Sequence, residues 1–348
     1  MKQRSYLDWN ATTPLRPQAR DAMIAAMDCI GNPSSVHAEG RKAKAIVEKA
    51  RGQVASALGA DGADVIFTSG ATEAAALVLG HRGLTGSAIE HDAVLSWIDE
   101  TLPCDELGLV KVSDPQTATL QMANSETGVI QNLPDGLAVS DATQAFGKIP
   151  FAFNWLNTEA ILVSAHKLGG PTGIGALVVK RGTEIEAQLK GGGQEMGRRA
   201  GTENITGIAG FGAAAEAAMQ DLSNGVWEEV AENRDFLEMR IADTAYNTIF
   251  PGNQVKRLPN TSCILSEGWK GETQVMQMDL AGFAISAGSA CSSGKVRASR
   301  VLKAYGYDEQ AAASAIRVSI GPDTTKEQIA GFADAWLAQW KKHRDRAA

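Results

Sequence analysis

Val65-Ile66-Phe67-Thr68-Ser69-Gly70-Ala71-Thr72-Glu73 is the stretch whose reading decides the fold class. Val65-Ile66-Phe67 reads as a buried strand ending at Thr68-Ser69-Gly70, and residues 72–79, rich in alanine and leucine, read as the helix that follows. Working outward, further strands are expected at residues 87–89, 119–122, 137–139, 161–163 and 175–179. Short apolar runs alternating with amphipathic helical stretches predict an α/β domain with a mostly parallel sheet. Residues 205–219, rich in glycine and alanine, suit a closely packed helix, and the charges of residues 224–243 suit a longer, exposed one.

The pattern breaks between Pro251 and Pro259. Beyond it, strand-like runs at 262–265 and 316–320 and a helical run at 326–341 predict a smaller α+β domain. The expected division is a large domain over 17–250 and a small domain over 1–16 and 251–348.

Composition narrows the class. Of 348 residues, 44% are hydrophobic and 21% charged, the balance of a globular protein rather than a disordered one. A formal net charge of -7 argues against nucleic acid as the main partner, because phosphate binding needs a basic surface. No apolar run approaches the roughly 18–20 residues of a membrane span. The N-terminal residues carry no apolar segment of a secretory signal, so a cytoplasmic location is expected. The four cysteines, Cys29, Cys104, Cys263 and Cys291, form no C-x-x-C pair and indicate neither a zinc site nor a disulfide framework.

In an open α/β sheet, ligands bind beyond the carboxyl ends of the strands, and the polar residues of note fall there. Ser69-Gly70-Ala71-Thr72 at a strand-to-helix turn offers unpaired N–H groups and a hydroxyl to a phosphate; alone, such a turn is more often a plain helix cap. No G-x-G-x-x-G and no Walker lysine accompany it, which disfavours nucleotides. Asp141 and Lys167 follow successive strands. An amine that can bond a carbonyl, a carboxylate and a phosphate cradle together suit a pyridoxal cofactor. Separately, the aspartate could be a helix cap and the lysine a solvated surface residue. His91, at another strand-to-helix turn, could stack on the ring or move protons near neutral pH, or simply cap its helix. His166 could donate to a phosphate or satisfy a backbone group. Cys291 lies in Gly288-Ser289-Ala290-Cys291-Ser292-Ser293-Gly294, among small residues and near Lys295, Arg297 and Arg300, surroundings that favour a reactive thiolate. Arg317 has the fork geometry for a carboxylate, or for a structural ion pair.

Taken together, these segments resemble the NifS/IscS-like cysteine desulfurases, within the class V aminotransferase-like pyridoxal enzymes. The resemblance covers nearly the whole chain. It runs from Tyr6-Leu7-Asp8-Trp9-Asn10-Ala11-Thr12-Thr13-Pro14 through Gly31-Asn32-Pro33-Ser34-Ser35-Val36-His37, Asp141-Ala142-Thr143-Gln144 and Gly191-Gly192-Gly193-Gln194-Glu195 to the strand of Arg317. It implies a pyridoxal-phosphate-dependent transferase of the aspartate aminotransferase-like fold type I. Lys167 is then the residue bonded to pyridoxal 5'-phosphate, Asp141 meets the pyridine nitrogen, Gln144 the phenolic oxygen, and His91 stacks on the ring. Ala71, Thr72, Ser164 and His166 hold the phosphate, with Thr202 from the partner subunit of a homodimer. Asn32 and Arg317 receive the carboxylate of L-cysteine, and Cys291 takes its sulfur, to be passed to an acceptor protein such as an iron–sulfur scaffold or a tRNA-thiolation relay.

The chain departs from that pattern in three places. Ser125 replaces the second of two asparagines before Glu126 and stands at the substrate position. Met196 replaces an arginine after Gln194-Glu195, and the stretches 91–124 and 131–141 are shortened. Two other readings therefore accompany the first: a related pyridoxal enzyme such as a selenocysteine lyase or aminotransferase, and a non-catalytic paralogue.

Overall fold

The computed structural model describes residues 4–288 and 298–347. Its central sheet orders the strands Asp64–Thr68, Gly175–Val179, Ala160–Ser164 and Val139–Asp141. The second of these runs antiparallel to both its neighbours, while Val139–Asp141 and Ala160–Ser164 pair in parallel. Single parallel bridges, Thr119 to Val139 and Thr85 to Ala118, carry the ladder outward to Thr85–Gly86 and its parallel partner Asp99–Glu100. The sheet is thus mostly parallel with one reversed strand.

Alternation along the strands explains the layers. Val65, Phe67, Ile161, Val163 and Val178 point into a core shared with the helices Ala38–Ala57 and Ile205–Ser223. Ile66, Leu162, Leu177 and Val179 point to the other face, against Ala71–Leu79. Both faces are buried, so the strands read as continuous apolar runs rather than alternating ones. The small residues of Ile205–Ser223 allow close helix packing: a Cβ on Gly212 would lie 2.8 Å from the Ala50 Cα.

Two expected strands take a different form. Residues 87–90 form a turn, because side chains replace ladder bonds there. The buried Glu90 carboxyl group accepts the Gln121 N–H at 2.6 Å, and Gln121 Nε2 donates to the Ile89 carbonyl at 2.7 Å. Residues 119–122 do lie along the sheet, with Leu120 and Met122 donating to Val139 and Asp141, but Gln121 gives its N–H to Glu90 instead of to a further strand.

The smaller unit is an antiparallel sheet ordered Ser286–Ala287, Ala315–Ser319 and Thr261–Leu265. Ser5–Tyr6 pairs with Phe283–Ala284, and Asp8 bridges to Ser319, so the N-terminal segment joins this unit. Its core holds Leu7, Ile264, Trp269, Ile316 and Phe332, with Trp227 and Leu237 from the helix Val226–Ala242. That helix therefore turns an apolar face into the small unit instead of standing exposed. Among the described residues, no helix is long and apolar enough to cross a membrane.

Candidate active site

A cavity of about 460 Å³ opens at the carboxyl ends of the central strands. Asp141 and Ser164 close their strands on its wall, and Ser69 follows directly on another, where backbone leaving the sheet frees polar groups for a ligand. Ser69, Gly70, Ala71 and Thr72 form one wall at the start of the Ala71–Leu79 helix. The first N–H groups of a helix have no intrahelical acceptor, and the helix dipole favours an anion there. Close approach of the sheet behind this turn requires glycine: a Cβ on Gly175 would meet the Gly70 Cα at 2.7 Å. Glu73 holds the turn from outside, its carboxylate accepting the Ser69 N–H at 2.7 Å and the Arg199 guanidinium at 2.8 Å.

Asp141, buried at the end of its strand, accepts the Thr143 N–H at 2.8 Å and lines the cavity, as do Gln144, Ser164, His166 and Lys167. Lys167 ends a single 3₁₀ turn, Ala165–Lys167, which follows its strand directly. Its ammonium nitrogen donates to the carbonyls of Asn10 at 2.6 Å and Ala11 at 2.9 Å. The N-terminal segment thereby fixes the amine over the cavity. Burial, with Lys167 and Lys148 nearby, pushes His166 down to about 4, so its imidazole is neutral at physiological pH. His91 caps the short helix Asp92–Leu95 through Nδ1 and also lines the cavity.

Arg317, in the small sheet, reaches the cavity from the opposite side. One terminal nitrogen donates to Asp8 at 2.8 Å and the other to the Ser125 carbonyl at 3.1 Å. A phosphate-bearing, ring-shaped cofactor with an amino-acid substrate fits the site: a helix N-terminus for the phosphate, a lysine, an aspartate and an arginine line one cavity.

The structure does not bring every expected residue into this cavity. Asn32 is exposed in a turn, its side chain accepting the Ser34 N–H, and Thr202 lines a separate small cleft beside Ser69 and Glu203. Ser125 does line the cavity. Cys291 lies outside the described residues. The chain on either side of it is anchored: Gly288 donates to the Ala315 carbonyl, and Ser299 Oγ to Glu126 at 2.5 Å. Arg300 binds the Ala88 and Glu90 carbonyls and the Asp92 carboxylate, against the turn that carries His91.

Sequence reasoning missed several residues that hold the site. Asp8 and Asn10 act from the N-terminal segment, Lys148 sits buried beneath Gln144, and Glu195 is buried in a bidentate pair with Arg51. Only Lys148 left a local signal, four residues after Gln144 in a helical turn. Glu90 and Glu126 were missed as well; burial pushes them up to about 8 and about 7. A carboxyl raised on folding holds its proton in the native state after the unfolded chain has lost it, so its contribution falls as pH rises through that window. Glu90→Gln removes one such group. Relative to the wild type, its unfolding free energy is expected to rise by up to about 1.4 kcal/mol per pH unit between pH ~4.5 and ~8, and to stay level below that range. Urea unfolding of both proteins across pH ~4–8 measures it; parallel curves would contradict protonated Glu90.

Comparison with known proteins places the chain. The family model for aminotransferase class-V matches residues 5–97 and 102–332, and the chain belongs to that family. Its relatives there are cysteine desulfurases. The cysteine desulfurase IscS of Dictyoglomus turgidum is 36% identical over 94% of this chain and 92% of its own length, and the cysteine desulfurase of Enterobacter agglomerans is 37% identical over 93% and 89%. The X-ray structure of a NifS-like protein from Rickettsia africae superposes with a TM-score of 0.88 at 30% identity, over 97% of this chain and all of the other.

Proposed function

We propose that this chain is a pyridoxal-phosphate-dependent cysteine desulfurase, acting as a homodimer in the cytoplasm, that converts L-cysteine to L-alanine and carries the sulfur as a persulfide on Cys291. The observation that carries the reading is the convergence of Lys167, Asp141, the Ala71–Thr72 helix start and Arg317 on one cavity. The curated relatives named for this activity support it.

Bound there, pyridoxal phosphate supplies an electron sink for a carbanion next to the amino group. The protein's own groups do the rest. Lys167 would hold the cofactor through its amine and, as a free amine, would carry a proton to and from the substrate. Asp141 would hold a proton on the ring nitrogen, Gln144 would donate to the phenolic oxygen, and His91 would cover one ring face. Ala71, Thr72, Ser164 and neutral His166 would bind the phosphate. Thr202 adds to that cradle from a second copy of the chain, which accounts for its distance from this cavity. Arg317, with Ser125 and Asn32, receives the substrate carboxylate. The Cys291 thiolate attacks the substrate sulfur: an S–S bond forms, the substrate C–S bond breaks, and a proton replaces sulfur on carbon to give alanine. An acceptor protein, for example an iron–sulfur scaffold, then takes the outer sulfur.

The test is direct. The protein reconstituted with the cofactor, given L-cysteine and a thiol reductant, is expected to release alanine and sulfide in equal amounts; failure to form alanine would end the proposal. Arg317→Lys keeps the positive charge and loses the fork. It is expected to lower kcat/KM for cysteine about 10- to 100-fold, mostly through KM, the ~1.5–3 kcal/mol typical of a hydrogen bond to a charged group. An unchanged KM would remove Arg317 from the substrate.

A further inference from the structure

Lys148 is buried in the protein interior at 2% exposure, yet among the described residues its hydrogen-bond acceptors are neutral amide oxygens: Gln144 Oε1 at 2.8 Å and Asn10 Oδ1 at 3.4 Å. A lysine so placed loses its hydration without gaining a carboxylate in contact, a costly arrangement that calls for a reason. Its consequence for Gln144 supplies one. With Oε1 engaged by Lys148, the amide is oriented so that Nε2 faces the other way. One Nε2 hydrogen goes to the Asn10 carbonyl at 3.1 Å. Among the described residues no acceptor meets the second, and Gln144 lines the cavity.

We propose that Lys148 is a positioning residue that holds the Gln144 amide as a hydrogen-bond donor toward the cofactor's phenolic oxygen. Without it the amide is free to flip, and a carbonyl oxygen facing that anionic oxygen would repel it. The same arrangement reaches the reactive amine, because the Asn10 carbonyl that accepts from Gln144 also accepts from Lys167 at 2.6 Å. The charged groups facing Lys148 are Lys167 and Arg317, and burial with those two neighbours draws its amine well below the usual lysine range. It can donate to Gln144 without adding a full positive charge beside Lys167. The inference rests on the functional reading above.

The test compares wild type, Lys148→Met, Lys148→Gln and Gln144→Leu, each loaded with pyridoxal phosphate and followed by visible absorption across pH. Losing a donor at the phenolic oxygen leaves the neighbouring nitrogen, contributed by Lys167, more basic. Lys148→Met is expected to raise the pH midpoint of the band change by about half a unit to one unit and weaken cofactor binding about 3- to 10-fold. Gln144→Leu gives the same upward shift, whereas Lys148→Gln, which retains an N–H donor, stays nearer the wild type. An unmoved midpoint in Lys148→Met overturns the proposal. So does an unmoved midpoint in Gln144→Leu, whether or not Lys148→Met folds. A wild type with no visible band would instead sink the functional reading itself, so the two failures are distinguishable.

Discussion

Lys167→Ala is expected to abolish the visible band that pyridoxal phosphate acquires on bonding to the protein, and to lower cysteine desulfuration by at least about 10³-fold. The amine sits at a strand end on the cavity wall, held by the carbonyls of Asn10 and Ala11. Alanine offers neither a bond to the cofactor nor a group to move the substrate proton. Other groups placed to bind the cofactor remain, including the Ala71 and Thr72 N–H groups and Asp141, so some non-covalent retention is expected. Folding is little affected: the hydrogen bonds lost are each worth about 1 kcal/mol. Absorption spectra and alanine release of variant and wild type, with circular dichroism as the folding control, measure all three. A variant that kept the bonded cofactor's band would place the covalent attachment elsewhere.

The second large effect concerns Cys291. Cys291→Ser is expected to keep the cofactor and its spectrum while persulfide transfer falls by roughly 10³-fold or more, because a hydroxyl at neutral pH is far less nucleophilic than a thiolate. The other cysteines do not substitute. Cys263 is fully buried and its thiol is pushed up by burial. Cys104 donates to the Ala304 carbonyl at 3.2 Å, and its thiol is likewise raised by burial. Cys29 is half-buried and is absent from the cavity wall. Wild-type protein treated with L-cysteine should gain the mass of one sulfur, mapping to the peptide that contains Cys291, and the serine variant should not. Sulfur recovered on another cysteine would reassign the nucleophile. Downstream of Cys291, Ser299 is anchored to Glu126 and Arg300 to the turn that carries His91.

Much of the cavity was legible because its chemistry sits at the ends of elements with strong local signals. Val65-Ile66-Phe67 reads as a buried strand, the Ser-Gly-Ala-Thr turn after it as a phosphate cradle or a plain helix cap, and Asp141 and Lys167 each follow an apolar run. The expected strand at 87–89 failed for a physical reason that a local pattern does not carry: the Glu90 side chain, buried, takes the backbone bond of a residue 31 positions away. The Val226–Ala242 helix looked exposed because its sequence is charged, yet Arg234 donates to the Leu258 carbonyl and Glu238 pairs with Arg257, so charges satisfied by distant partners accompany Trp227 and Leu237 into a core.

By itself the sequence determined the α/β class, the strand ends that carry chemistry, and the resemblance that names a cofactor, because apolar period and turn chemistry are properties of neighbouring residues. Tertiary structure alone decided that Asp8 and the Ser125 carbonyl orient Arg317, and that Asn10 and Lys148 set the direction of Gln144. Those contacts join residues more than a hundred positions apart, or depend on burial. A chain cannot display in its local pattern which buried donor meets which acceptor until folding has removed the water that would otherwise satisfy both.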